Sequence, residues 1–373
     1  MSRQWAQKKS GWNSSMPVQK SSSWQRPFRD PIYDAPAPKQ TLSVQTKRRN
    51  VDWSRVTVEA QSPAGVQPQV QRQVATQTPV AQTEWDTHRN IKARYKTWQA
   101  YEAVRSQVAS WGVNNPADYI EAAIGEWNGN AGIHGYFGNN FDGDPHRSYL
   151  NLKRLYQARG INNPANYIAN NIVNITFFNR TTQGHRDLQA ALNAAQTALT
   201  SAGHSFILEV GTWSFVPRTF NDNINKLSNH ALGRAIDINP QNNPHITSAE
   251  EVLAIDTICR SLLPSGLLSE TNFDNLQRAS DRFKQNFNNS WVDQQKELLK
   301  DMSKQKPTPT DMPAQKKLVK AIQNRRSALN KYAANGFLNL PKALVEALQS
   351  AGLNWGGTWS SAKDFMHFEL PNP

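Results

Sequence analysis

Two short segments constrain this chain more than anything else in it. One is Ser228-Asn229-His230-Ala231-Leu232-Gly233-Arg234-Ala235-Ile236-Asp237; the other is Asp364-Phe365-Met366-His367 near the C-terminus. Together they offer two imidazoles and a carboxylate, a nitrogen and oxygen donor set of the kind catalytic zinc takes. Such sites use three protein ligands and leave one position for water. A second carboxylate, Asp364, stands three residues before the last histidine, where it can act as a base. A fold that uses all four must bring distant stretches of chain to one point.

The spacing narrows how that can happen. His230 and Asp237 are too far apart for a helical pair one turn apart. Gly233 permits a turn after His230, and Ala235-Ile236-Asp237-Ile238-Asn239 then alternates apolar and polar, as a half-buried strand does. His230 is therefore expected on the loop entering a strand and Asp237 on the strand itself. Phe365 to Leu370 also suits a short strand, with aromatics favouring a pleated surface. Two adjacent strands would aim His230, Asp237 and His367 together. His245, close in sequence to Asp237, is an alternative ligand ranked below His367. Taken singly, a His or Asp is more often a satisfied structural or capping residue than a ligand.

The pattern Ser-x-His-x-x-Gly-x-Ala-x-Asp, with Asp-x-x-His-Phe-Glu far downstream, resembles the zinc D-alanyl-D-alanine carboxypeptidase / L-alanyl-D-glutamate endopeptidase family. These are the VanY- and VanX-like peptidoglycan peptidases, which include phage endolysins. The resemblance runs from about residue 172 onward. It takes in Phe177-Phe178-Asn179-Arg180, His185-Arg186-Asp187-Leu188, a helix from Asp187 to Ala202 and a strand from Phe206 to Val210. It implies that His230, Asp237 and His367 bind Zn2+ and that Asp364 is the catalytic base. Arg218, ten residues before Ser228, would polarise the substrate carbonyl, and Ser228 would support the site by hydrogen bonding. Arg218 also reads as a salt-bridging scaffold residue. Many members carry Glu as the base; here it is Asp, one methylene shorter. The stretch 247–335 is longer than the usual connection and reads as a helical insertion beside the cleft, a candidate lid. Its expected helices are Ala249 to Leu263, Asp274 to Met302 and Lys316 to Ala334, with a Pro/Thr/Lys linker from Lys304 to Gln315. Glu369 can orient a ligand imidazole from outside, or it can be a plain surface carboxylate.

Composition frames the rest. The chain has 373 residues, enough for two domains and a tail, and a formal charge of +13. That excess suits an anionic partner such as a cell wall, yet there is no nucleic-acid-binding motif and no apolar run long enough to span a bilayer. The single Cys259 excludes an internal disulfide and reads as a buried thiol. Met1 to Lys9 is polar with no apolar core after it, so no secretory signal is expected. A wall-cutting enzyme of this kind would be made in the cytoplasm and reach the wall or periplasm by lysis, non-classical release or injection.

Residues 1–85 read as a disordered tail rich in Gln, Ser and Pro, with Trp5, Trp12, Trp24 and Trp53 among basic residues and a low-complexity run from Gln67 to Gln82. It is a spacer or a recruitment tail; its opening loosely resembles leaders of contractile-injection-system effectors, which would imply secretion or injection machinery as a partner. Between tail and enzyme, Trp111-Gly112-Val113-Asn114-Asn115-Pro116-Ala117-Asp118-Tyr119-Ile120 recurs as Arg159-Gly160-Ile161-Asn162-Asn163-Pro164-Ala165-Asn166-Tyr167-Ile168. Gly suits a helix stop, Asn an N-cap and Pro a first helical turn. Helices from about Arg89 to Trp111 and Ser148 to Arg159 complete a small helical domain at 86–171. Asn139 to Asp144 reads as an ordinary turn or a partial Ca²⁺ loop.

The expected architecture is α+β: a small antiparallel sheet with flanking helices holding a zinc site at 172–373, preceded by the helical domain and the tail. The expected function is zinc-dependent cleavage of peptidoglycan stem peptides, at D-Ala-D-Ala or at L-Ala-D-Glu, by an endolysin or lytic effector. The rival is a catalytically inactive wall-binding or structural module on the same fold.

Overall fold

The computed structural model describes residues 80–136, 145–209, 211–220 and 223–371, all within one compact unit, Ala75–Pro373. The tail up to residue 79 and the Asn139 to Asp144 turn lie outside the described residues.

Helices open the unit: α1 Val80–Thr87, α2 Arg89–Arg94, α3 Trp98–Ser110, α4 Pro116–Gly129, α5 Pro145–Gln157 and α6 Pro164–Asn171. The repeat behaves as its residues dictate. Asn115 and Asn163 accept hydrogen bonds from the backbone N–H of Asp118 and Asn166, and proline fills the first turn of α4 and α6. Gly112 and Gly160 take the left-handed conformation that stops the preceding helices, at φ +80° and +77°. The helix expected from Arg89 to Trp111 is broken. Thr97 caps α3 by accepting from Ala100 N–H, and the Trp85 indole donates to the Tyr95 carbonyl at 2.7 Å. These bonds satisfy backbone groups that the break leaves outside a helix. Helix α1 begins inside the span read as tail.

The second half starts with the hairpin β1 Ile172–Phe177 and β2 Arg180–His185, then α7 Arg186–Ser201. The strand expected from Phe206 to Val210 is not formed over its described residues, 206–209. Leu208 instead bonds side chains of the hairpin turn: its N–H donates to Asn179 Oδ1 and its carbonyl accepts from Asn179 and Arg180. Those bonds satisfy its backbone without a ladder, and Ile207 is left 86% exposed. There follow β3 Thr219–Phe220, β4 Asn223–Leu227, β5 Ala235–Asp237 and β6 His245–Ile246. Helices α8 Ala249–Cys259, α9 Phe273–Asn286, α10 Asn289–Lys304, α11 Met312–Asn324, α12 Arg326–Asn335 and α13 Lys342–Ser350 come next. The chain returns through β7 Asn354–Trp355, β8 Lys363–Asp364 and β9 His367–Glu369. Strands order as β5-β9-β7 in an antiparallel sheet, beside the antiparallel pair β6-β8.

The long helical segment shares its apolar core with the sheet. One apolar cluster runs from Leu188 and Leu192 of α7 through Ile236 of β5 to Ile255, Phe283 and Leu344, and on to Trp355, Phe365 and Phe368. Residues 247–335 thus help build the core under the sheet. Two of the expected helices divide, because Asn288 caps α10 by accepting from Trp291 N–H and the chain turns at Arg325. Cys259 is buried, donates to the Ala279 carbonyl at 3.3 Å, and has its thiol pushed up to about 12 by burial. No helix among the described residues is long and apolar enough to cross a membrane.

Phe283 is fully buried against Phe287, Tyr332 and Phe337. Phe283→Ala is expected to cost about 3–5 kcal/mol, read by urea unfolding. Because the cluster is shared, tryptophan fluorescence and circular dichroism should shift together; separate transitions would show that the helices are an independent module.

Candidate metal centre

The turn that carries His230 is assembled from local chemistry. Ser228 caps a single 3-10 turn, Asn229–Leu232, its Oγ accepting from the His230 N–H at 3.3 Å. Gly233 ends the turn at φ +65°. A side chain there would meet Ile172 Cδ1 at 2.6 Å and the His185 backbone nitrogen at 2.7 Å, so only glycine fits. The chain then enters β5, which pairs with β9 so that Asp237 lies directly opposite His367.

His230, Asp237 and His367 therefore converge, all buried. His230 Nε2 lies 3.2 Å from Asp237 Oδ1 and 3.1 Å from His367 Nδ1, and His367 Nδ1 lies 3.0 Å from the same carboxylate oxygen. The outward nitrogens are committed elsewhere. His230 Nδ1 faces the Ser214 carbonyl at 2.7 Å, and His367 Nε2 faces Glu369 Oε2 at 3.0 Å. Donating outward fixes both tautomers and turns two lone pairs inward, onto the carboxylate. Three acceptors in a buried triangle repel unless something positive joins them.

The titration behaviour says the same. Burial opposes charge on His367, yet its bonds to Asp237 and Glu369 push it up to about 10. Burial also disfavours a charged Asp237, but the two imidazoles hold it well below the usual carboxylate range, while burial holds His230 down. One proton can serve only some of the three contacts; a metal ion serves them all. Ligand atoms around a tetrahedral zinc, with bonds of about 2.0–2.1 Å, sit roughly 3.3 Å apart, close to the separations here. The donor set fits a metal ion.

Asp364 sits on β8 beside this group. Its Oδ1 is buried and carries no hydrogen bond among the described residues. Burial, then the charge of Asp237, raises its pKa to about 7. Gly356 packs so closely on the Asp364 backbone that a side chain there would strike its carbonyl oxygen. Arg218 stacks on the Trp213 ring, its guanidinium carbon 5.0 Å from the centroid, and its charge is felt at Asp364 and His230. Glu369 also accepts from Asn229 at 2.6 Å, so it is tied to the site rather than free on the surface. His245 is exposed and stands in β6 as the backbone partner of Asp364; it is not in the ligand group.

Four participants escaped the sequence reading. Ser214 and Asn229 act as the partners just described. Trp213 packs on His230 at 4.2 Å between centroids and Trp359 on His367 at 5.1 Å. A signal existed: Gly-Thr-Trp-Ser occurs at 211–214 and again at 357–360.

Residues 308–370 match the family model described as D-alanyl-D-alanine carboxypeptidase. The match supports a peptidase over that stretch, shorter than the resemblance read from about residue 172. It includes Asp364, His367 and Glu369 but not Arg218, Ser228, His230 or Asp237, and it begins inside the 247–335 segment. No curated protein and no solved structure matches the chain.

Since His367 holds a proton to about 10 without a metal, metal uptake at neutral pH is expected to release protons. Calorimetry in two buffers of different ionisation enthalpy would detect it; equal heats would contradict the scheme. Glu369→Ala should weaken metal binding by about 10–100-fold, measured by chelator competition.

Proposed function

We propose that this protein is a zinc-dependent peptidase that cleaves the stem peptides of peptidoglycan. The observation that carries the reading is the inward convergence of His230, Asp237 and His367 with the Asp364 carboxylate alongside. The family match over the C-terminal stretch supports the substrate class. The scissile bond is D-Ala-D-Ala, the bond named in that match, or L-Ala-D-Glu.

Bound zinc would supply Lewis acidity and lower the pKa of a water towards about 7. Asp364 takes the proton of the attacking water and passes it to the leaving amine, a transfer worth about 10²–10⁴-fold. Before any cation binds, burial and the charge of Asp237 raise its pKa to about 7, which favours a carboxyl able to hold a proton near neutral pH. Arg218, held over the Trp213 ring, would balance the oxygen on which charge develops; losing one such donor costs roughly 2.7–4 kcal/mol elsewhere. Trp213 and Trp359 wall the two imidazoles and keep bulk water from them. Ser228 and Glu369 hold His230 and His367 in place. The tail is proposed as the segment that recruits secretion or injection machinery. A reporter fused to residues 1–85 that fails to enter an assembled particle would end that idea.

Digestion of peptidoglycan by zinc-loaded protein, read by mass spectrometry of released muropeptides, should show cleavage that a chelator abolishes, with the new termini naming the bond. A zinc-loaded, folded protein that cuts nothing would move the reading to an inactive wall-binding module. Asp364→Asn should keep its metal and lose about 10²–10⁴-fold in turnover. A bound cation lowers a neighbouring carboxylate's pKa, so activity should fall on the acid side at or below pH 7 as Asp364 protonates.

A further inference from the structure

We propose that the helical region α1–α6 is a clamp that positions His230, acting through the phenols of Tyr156 and Tyr167. This rests on the reading of His230 as a metal ligand.

The turn around His230 is one 3-10 turn, too short to hold its own shape. Its carbonyls can be accounted for one by one. Ser228 accepts from Ala231 N–H, Asn229 from Arg234, His230 from Gly233 and Val216, Gly233 from His185, and Arg234 from Leu370. Two remain, Ala231 and Leu232, directly after the ligand. Tyr156 of α5 donates to the Ala231 carbonyl, and Tyr167 of α6 donates to the Leu232 carbonyl at 2.8 Å. A buried carbonyl without such a partner would destabilise the turn. Burial pushes the Tyr167 phenol up to about 12 and raises Tyr156 well above its ordinary value, so both stay donors. The side chains of Ala231 and Leu232 are buried in the apolar cluster of the helices, with Leu150, Leu155 and Ile168. Two hydrogen bonds and an apolar plug thus fix the turn from outside the sheet.

The repeat explains how such a clamp arises and supplies its control. Tyr119 and Tyr167 occupy equivalent positions in the two copies. Tyr119 donates to the Leu150 carbonyl at 2.7 Å, inside the helical region; Tyr167 makes the same kind of bond to the turn that carries His230. The second copy has turned an internal tie into an external one.

The test compares Y156F, Y167F and Y119F in the full chain. Zinc affinity is measured by competition with a chromogenic chelator, cobalt-loaded protein is examined by visible spectroscopy, and the metal-free proteins are melted. Y156F and Y167F should each raise the zinc dissociation constant about tenfold or more, as losing a support beyond the ligands does, and shift the cobalt bands. Y119F should lower the melting temperature comparably and leave zinc affinity unchanged. Tyr167 is only half-buried, so Y167F keeps the test readable should Y156F fail to fold. Unchanged zinc affinity in Y156F and Y167F, or an equal loss in Y119F, would overturn the clamp. A parent protein that takes no zinc would sink the metal reading and the clamp together, and is told apart because no variant is needed to see it.

Discussion

The pairing of β5 with β9 is the contact on which the rest depends. It sets Asp237 opposite His367 across 130 residues of sequence. Closing a flexible loop of that length costs on the order of 4 kcal/mol in chain entropy before any contact repays it. A three-residue pairing, Ala235–Asp237 with His367–Glu369, cannot meet that cost by itself. The intervening helices help to do so, because they form locally and place Ile255, Phe283 and Leu344 in the same apolar cluster as Ile236 and Phe368. The long helical segment is therefore the reason the two strands can meet.

The same pairing concentrates an electrostatic problem. Asp237 is buried between two imidazoles, and Asp364 is half-buried nearby, with a buried Oδ1 that no hydrogen bond among the described residues satisfies. Burying such groups is unfavourable unless they are paired or bind a metal. Partners on the far side, Ser214, Glu369 and Asn229, hold the imidazoles in one orientation. The strain is thereby kept at the centre, where a cation relieves it, instead of being lost by rotation of a ring.

Helical repeat and sheet belong to one unit, and two apolar clusters meet at the His230 turn. Residues 231 and 232 pack with the helices, whereas residues 236 and 238 pack with the long helical segment. A change in either cluster reaches the same few backbone atoms. That is a general route by which substitutions far from a site alter it.

Much of the site was legible because its local logic is short-range. A histidine, a glycine that alone fits the turn, and an alternating strand ending in aspartate lie within ten residues, and Asp364 and His367 lie within four. The caps at Asn115 and Asn163 were equally readable, since a cap needs only its own next three residues. What the sequence could not show was decided across space. Trp85 reaching Tyr95 helps break a helix, Asn179 reaching Leu208 replaces a strand, and Trp213 and Trp359 come to flank two histidines. For the segment 247–335, the apolar spacing names a buried face but not its partner, which the shared core supplies. By itself the sequence determined the donor set and the local turns, for those follow from residue type and spacing. Only the tertiary structure decided which donors meet, what holds them and where the helices pack, because each depends on contacts whose partners are far apart along the chain.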